Sequence, residues 1–367
     1  MIIKIAQLAL ALSMSFYSLE SSAQIFDIKV TDYDGADSYP ALKALIDTEL
    51  AKVVADINKD LPGGPPDRLM EGMANSSVMA GKGIGTDYAS NMKVMIIGAG
   101  IGVGADLAKD KTTDSDLSGA GVAPGIMMGM NLGFMDSERL LGMDTDRLNM
   151  YVNFMSYNYK YDTKDKENPT NIDLGMTAAG VHFRYDWIKP RGNKLLGWGG
   201  VKFNFGYEYN KTDIVLNSSI NETVNTTDSG ATINGTITGS PQATIMSTTH
   251  SIPLALSTDV QLLYFLTLYT GMGVDVNFGK AQGSGNLNAQ ESTISCSSGV
   301  TCTAASNPDI KVQASADING NGAVNPFLFR GFAGLQINLP FIRIFGQVDK
   351  AVGNDLIGAT AGVRFVY

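Results

Sequence analysis

The sequence predicts an all-β fold, a transmembrane antiparallel β-barrel of about ten strands (roughly 8 to 14) with a short α-helical N-terminal segment. Three observations predict it. From Met92 to the last residue the apolar residues recur with period two. Several of these runs last about 12 residues or more, longer than the roughly 5–6 residues of a strand in a soluble sandwich and enough to cross a bilayer obliquely. Short connections around Lys189–Lys194, Ser257–Val260 and Leu339-Pro340 interleave with long polar ones around Asp106–Gly119, Asn217–Gly239 and Gly279–Gly322, as expected where one side of a barrel carries turns and the other loops.

The chain divides into three parts. Residues 1–23 combine Lys4, an apolar run and Ser21-Ser22-Ala23, the pattern of a secretory signal cleaved after Ala23. Residues 24–91 carry the helical signal. Leu42, Leu45, Ile46, Leu50, Val53, Val54 and Ile57 predict an amphipathic helix from about Pro40 to Asp60, ended by Leu61-Pro62-Gly63-Gly64-Pro65-Pro66. A second, weaker helix is expected from Asp67 to about Ala80, with Leu69, Met70, Met73 and Val78 on its apolar side. This segment reads as a plug or a periplasmic element, and residues 92–367 as the barrel.

Within the barrel, Met95, Ile97, Ala99, Ile101, Val103, Ala105 and Leu107 oppose Gly98, Gly100, Gly102, Gly104 and Asp106. Val122–Phe134 and Val201–Tyr209 repeat the pattern, and Leu262–Phe278 reads as an almost unbroken apolar row. Near the end, Ile357, Ala359, Ala361, Val363, Phe365 and Tyr367 oppose Gly358, Thr360, Gly362 and Arg364. Strands are expected near 92–108, 120–135, 147–162, 172–188, 195–216, 240–257, 261–280, 323–338, 341–351 and 356–367, with part of a further hairpin at 305–318. A phase slip near Gly180 suggests a bulge.

Charges fall on the face opposite the aromatics. Val181, Phe183, Tyr185 and Trp187 point one way and His182, Arg184 and Asp186 the other, as lipid outside and a polar lumen require. Lumen-facing charges are expected at Arg184, Asp186, Lys202, Glu208, Asp275, Arg330, Arg343, Asp349 and Arg364. They either pair with one another and with the N-terminal segment or line a permeation path. The glycine row Gly98, Gly100, Gly102 and Gly104 makes room for something packed inside, and the Pro40–Ala80 segment is the candidate. The same row superficially matches a dinucleotide fingerprint, but the third glycine of that pattern falls at Val103 and no helix follows.

The net charge of −9 and the absence of a Lys/Arg cluster exclude nucleic acid as a partner. Cys296 and Cys302, in a Ser-, Asn- and Gly-rich stretch, read as one disulfide closing a small surface loop. No metal or other cofactor is expected: the two histidines, His182 and His250, are far from the cysteines in sequence, and Asp317-Ile318-Asn319-Gly320-Asn321-Gly322 is only half a calcium loop, with Leu328 where the closing carboxylate belongs. That hexapeptide reads as polar outer loop, and the five Asn-x-Ser/Thr triplets at Asn75, Asn217, Asn221, Asn225 and Asn234 as solvated Ser/Thr/Asn-rich loop. No serine is visibly placed for His182, and no catalytic residue is assigned.

The ending, a terminal aromatic preceded by alternating apolar residues, resembles the signature that barrel-assembly machinery reads on Gram-negative outer-membrane proteins. The resemblance implies a cell outer membrane location, with lipid and that machinery as partners, the latter through Tyr367. The order of signal, helical segment and barrel is similar to the plugged transporters of the long-chain fatty-acid transporter family, although that family's Asn-Pro-Ala hatch element is missing and no binding residue carries over. The expectation is a channel for small solutes restricted by the N-terminal segment. The alternative is a structural or surface-interaction barrel without transport.

Overall fold

The computed structural model describes residues 29–34, 66–89, 94–107, 118–135, 139–140, 142–162, 170–192, 195–218, 220–228, 231–297 and 310–367. The signal segment, the helix expected at Pro40–Asp60 and the Cys296–Cys302 disulfide lie outside what is described.

Ten strands form the wall. They are β1 (Met95–Asp106), β2 (Gly119–Asn131), β3 (Leu148–Asp162), β4 (Thr170–Ile188), β5 (Leu196–Ser218), β6 (Ala231–Leu262), β7 (Leu266–Ser297), β8 (Phe327–Asn338), β9 (Ile342–Ala351) and β10 (Leu356–Val366). Each pairs antiparallel with the next. β10 returns to β1, from Leu356 opposite Asp106 to Val366 opposite Ile96. The strands therefore close into a ring, which is how a sheet satisfies its backbone in lipid, with β2 and β3 pairing only between Ile126–Asn131 and Asn149–Phe154.

Burial follows the period-two pattern. On β1, Ile97 and Val103 are exposed on the outside while Gly98, Gly102, Gly104 and Asp106 are buried within. Outward apolar residues such as Ile126, Phe154, Leu254, Leu268, Met272, Phe329 and Val348 form a continuous belt. Aromatics mark its edges: Phe134, Trp187, Tyr264, Phe341 and Tyr367 at one end, Phe278 and Phe327 toward the other. From Leu266 to Phe278 about twelve steps of about 3.4 Å, tilted by about 40°, give roughly 30 Å, the thickness of a bilayer's hydrocarbon core. The fold is a transmembrane antiparallel β-barrel.

The two ends differ. The short-turn end holds the connections 189–195, 263–265 and 339–341. The Leu262–Phe278 row is interrupted there, because Leu263 and Tyr264 take left-handed φ values of 51° and 66° to turn the chain. Three apolar residues make this turn, so no glycine or proline announces it, and the turn expected at Ser257–Val260 is instead strand up to Leu262.

The long-loop end rises well beyond the belt. β6 and β7 remain paired from Leu262–Leu266 to Thr232–Ser297. Ile310–Ala323 continues along β7 past the Val324–Pro326 break that separates it from β8. Ile220–Asp228 pairs with Ala231–Gly239, and Lys29–Asp34 with Lys311–Ser315. The result is a five-stranded sheet in which much of the polar sequence expected as loop at 217–239 and 279–322 is strand. Alternation there carries no apolar face, so the period-two signal vanishes although the backbone pairing does not. The half calcium loop and the triplets at Asn221, Asn225 and Asn234 fall on these strands; Asn217 lies at the end of β5, and Asn75, expected in solvated loop, is buried on the helix Pro66–Ala80.

The bulge expected at Gly180 is absent: its neighbours pair in continuous register on both sides. Leu174, Ala178, His182 and Arg184 all face inward, and the apparent slip marks where β4 leaves the apolar belt. Register shifts between Asp186 and Ile188 and between Thr258 and Val260, at the rim by Gly200, whose φ is +80°.

Inside the ring lies α1 (Pro66–Ala80). Pro66 at its start and Asp67 in the first turn suit a helix N-terminus. Gly83, with φ +80°, turns the chain after the end. From Met73 to Ala80 every residue is buried, the polar ones included, which for so short and mixed a helix requires walls on all sides. Met70, Met73, Ala74 and Val78 pack on Ala281 and Val324, with Leu69, Ile214 and Ile245 beside them.

Candidate functional site

The lumen is filled by α1 and the stretch Gly81–Ala89 that follows it. Two kinds of contact hold them. The first is close backbone approach. A side chain at Gly102 would overlap the Ala80 carbonyl oxygen, and one at Gly104 the Ser76 carbonyl oxygen; Gly121 faces the Ser76–Ser77 peptide on the other side. Ser76 Oγ donates to the Gly119 carbonyl at 2.9 Å, and Ser247 Oγ lies 3.3 Å from Ser77 Oγ. Gly98 and Gly100 face inward too, but they accommodate Arg364 and the Phe345 ring rather than the helix.

The second is charge. Lys82 Nζ donates to Glu208 Oε2 at 2.7 Å and to Ser251 Oγ at 2.8 Å, with Asp275 at 3.5 Å. Arg330 joins Asp275 at 2.9 Å and Asp349 at 2.7 Å, and Gln347 donates to Asp349. Lower down, Arg364 reaches Asp87 Oδ1 at 3.2 Å and the Thr86 carbonyl at 2.8 Å, while its guanidinium sits 3.6 Å over the Phe345 ring. Arg184 donates to the Asp87 carbonyl and lies 3.5 Å from Asp186; Arg343 approaches Asp87 at 3.9 Å. Lys202 pairs with Asp259 and donates to the Tyr88 carbonyl at 2.9 Å. Tyr88 itself packs on Phe332 and Tyr269, with ring centroids 4.6 and 6.0 Å apart.

Each of the nine charged residues expected in the lumen therefore lies inside the barrel, in three clusters around Lys82 and Arg330, around Asp87, and at Lys202 and Asp259. Cations and carboxylates balance: Lys82, Arg184, Lys202, Arg330, Arg343 and Arg364 meet Asp87, Asp186, Glu208, Asp259, Asp275 and Asp349. Arg343 and Asp186 keep about a fifth of their side chains exposed, and the rest are buried. His182 lies under Gly85, 3.8 Å from Glu208. At the short-turn end a cavity of about 510 Å³ reaches up to Ala89, Asp259 and Arg343, walled by Trp198, Tyr264 and Pro340.

Residues 21–367 match the family model described as Lsa36-like. The chain belongs to the Lsa36-like family. No curated protein matches it. Among solved structures it is similar to the transport unit of the autotransporter AIDA-I from Escherichia coli, at 10% identity over 83% of this chain and 100% of that one, with a TM-score of 0.33. It is also similar to the translocator domain of autotransporter NalP from Neisseria meningitidis, at 10% identity over 76% and 90% and a TM-score of 0.30. The monoaromatic hydrocarbon channel CymD gives 10% identity over 81% and 98% and a TM-score of 0.22. Likenesses this distant carry no argument about what the Lsa36-like chain does.

Sequence reasoning missed Lys82, Asp87, Tyr88 and Asp259. A signal existed for the first two: between Gly72 and Ser90 they are the charged residues of an otherwise small and apolar stretch, and a charge there must find a partner once the stretch is enclosed. Asp259 of the Lsa36-like barrel was hidden inside a stretch read as turn.

Proposed function

We propose that the chain is a sealed outer-membrane barrel that carries a tall sheet on the cell's outer face and works through that surface rather than by passing solutes. The short-turn end faces the periplasm and the long-loop end the exterior, as in bacterial barrels generally. Lys82 carries this reading. It is fully buried, and it is held by Glu208, Ser251 and Asp275, on β5, β6 and β7. Withdrawing residues 82–88 would take Lys82 from Glu208 and Asp87 from Arg364, and would remove Lys82 from beside Asp275 and the Tyr88 carbonyl from Lys202. Breaking buried pairs one-sidedly costs roughly 3–5 kcal/mol each, too much for a gate that opens in normal use.

The cavity at the periplasmic mouth favours a second reading, a channel whose inner vestibule is already formed and whose stopper is residues 66–89. Planar-bilayer recording of the folded full-length protein separates the two. A sealed barrel gives no steady conductance at moderate voltage; ohmic steps that respond to small solutes would establish the channel instead.

A further inference from the structure

The described chain begins and continues on opposite faces of the barrel. Lys29–Asp34 is paired to Lys311–Ser315, beyond the rim at the long-loop end. Pro66 enters there, its carbonyl against Gly320, and Asp67 accepts a hydrogen bond from the Asn321 N–H at 2.7 Å. Arg68 meets Asp106 at the outer end of β1. The path then descends once, through Ser76 beside Gly119, Gly83 beside Gln347 and Tyr88 beside Lys202. Met95 starts β1 at the short-turn end, bonded to Tyr367 at 3.2 Å.

A chain whose early residues stand on one face and whose first strand starts from the other has crossed the membrane inside its own wall. We infer that this barrel is the conduit for its own chain, displaying Lys29–Asp34 on the outer face, with residues 66–89 the stem that remains in the pore. The inference rests on the outer-membrane reading above.

The seam shows how the stem is captured. Arg364 on β10 stands opposite Gly98 on β1, at the pairing that closes the ring, and the same side chain holds the Thr86 carbonyl and Asp87. Closure and stem binding thus meet at one residue. The stem is also slim where it must be: Gly72, Ser76, Ser77 and Ala80 pass glycines on β1 and β2 that leave room for backbone.

The test is an epitope inserted after Asp34, probed with antibody on intact cells. Parallel insertions go into the exposed turn at Asn354, at the long-loop end, and beside Lys189, at the short-turn end. The epitopes after Asp34 and at Asn354 are expected to be stained on intact cells, and the one at Lys189 only after permeabilisation. Staining at Asn354 but not after Asp34 overturns the inference and leaves the outer-membrane reading standing. Failure at both on intact cells overturns the orientation and the inference together. If the Asp34 insertion is not recovered in the membrane, Asp34→Cys in a chain with both native cysteines changed to serine, labelled with a membrane-impermeant maleimide, is read by the same rule.

Discussion

Arg364 and Gly98 form the register pair at the point where the last strand meets the first, and the arginine's Cγ lies 2.8 Å from where a Gly98 side chain would begin. The missing side chain on β1 is the space in which the arginine turns toward Asp87. Gly98→Val therefore obstructs the seam and pushes Arg364 from its partners. It is expected to lower stability in detergent by about 1–3 kcal/mol, measured as a fall in urea midpoint. Gly346→Ala, where nothing stands within 4 Å, is expected to be neutral.

Lys82 gives the sharpest energetic test. Lys82→Met leaves Glu208 and Asp275 buried with one cation fewer, a loss of roughly 3–5 kcal/mol. Adding Glu208→Gln removes one of the stranded charges, so the double variant is expected to recover part of that loss. The coupling in a double-mutant cycle, roughly 1–3 kcal/mol, is the quantity to measure; additive effects would show that the pair does not form.

Gly102 and Gly104 admit the α1 backbone rather than any side chain. Gly102→Val would overlap the Ala80 carbonyl, which cannot step aside within a helix. The expected outcome is a barrel that still assembles but holds its stem loosely, seen as proteolysis between residues 66 and 89 and as new ion conductance.

The legible part of the fold was the part in contact with lipid. There, alternation is enforced on every residue, and strands such as β3, β4 and β10 were readable to within two residues at either end. Above the belt the sequence alternation carries no apolar face, so Thr223 and Asn288 carry no mark of pairing although both are strand. The lumen charges were readable because a charge on the face opposite the aromatics has nowhere else to go. Their partners on the stem were not, since Lys82 and Asp87 lie in a stretch with no periodicity, and only the closed ring assigns them counter-ions.

The apolar belt makes its own prediction. Met272 is 69% exposed midway along the belt on β7. Met272→Arg is expected to destabilise the barrel in lipid by about 2–4 kcal/mol, read from folding titrations in bilayers. An unchanged titration would show that this face does not meet hydrocarbon.

That the stem stays seated in the lumen is tested most directly at the 3.3 Å approach of Ser77 to Ser247. With the native cysteines replaced by serine, Ser77→Cys/Ser247→Cys should oxidise to one cross-linked species in outer-membrane preparations, without changing conductance. A folded barrel in which the two thiols remain free, and open to a small alkylating reagent, would contradict it.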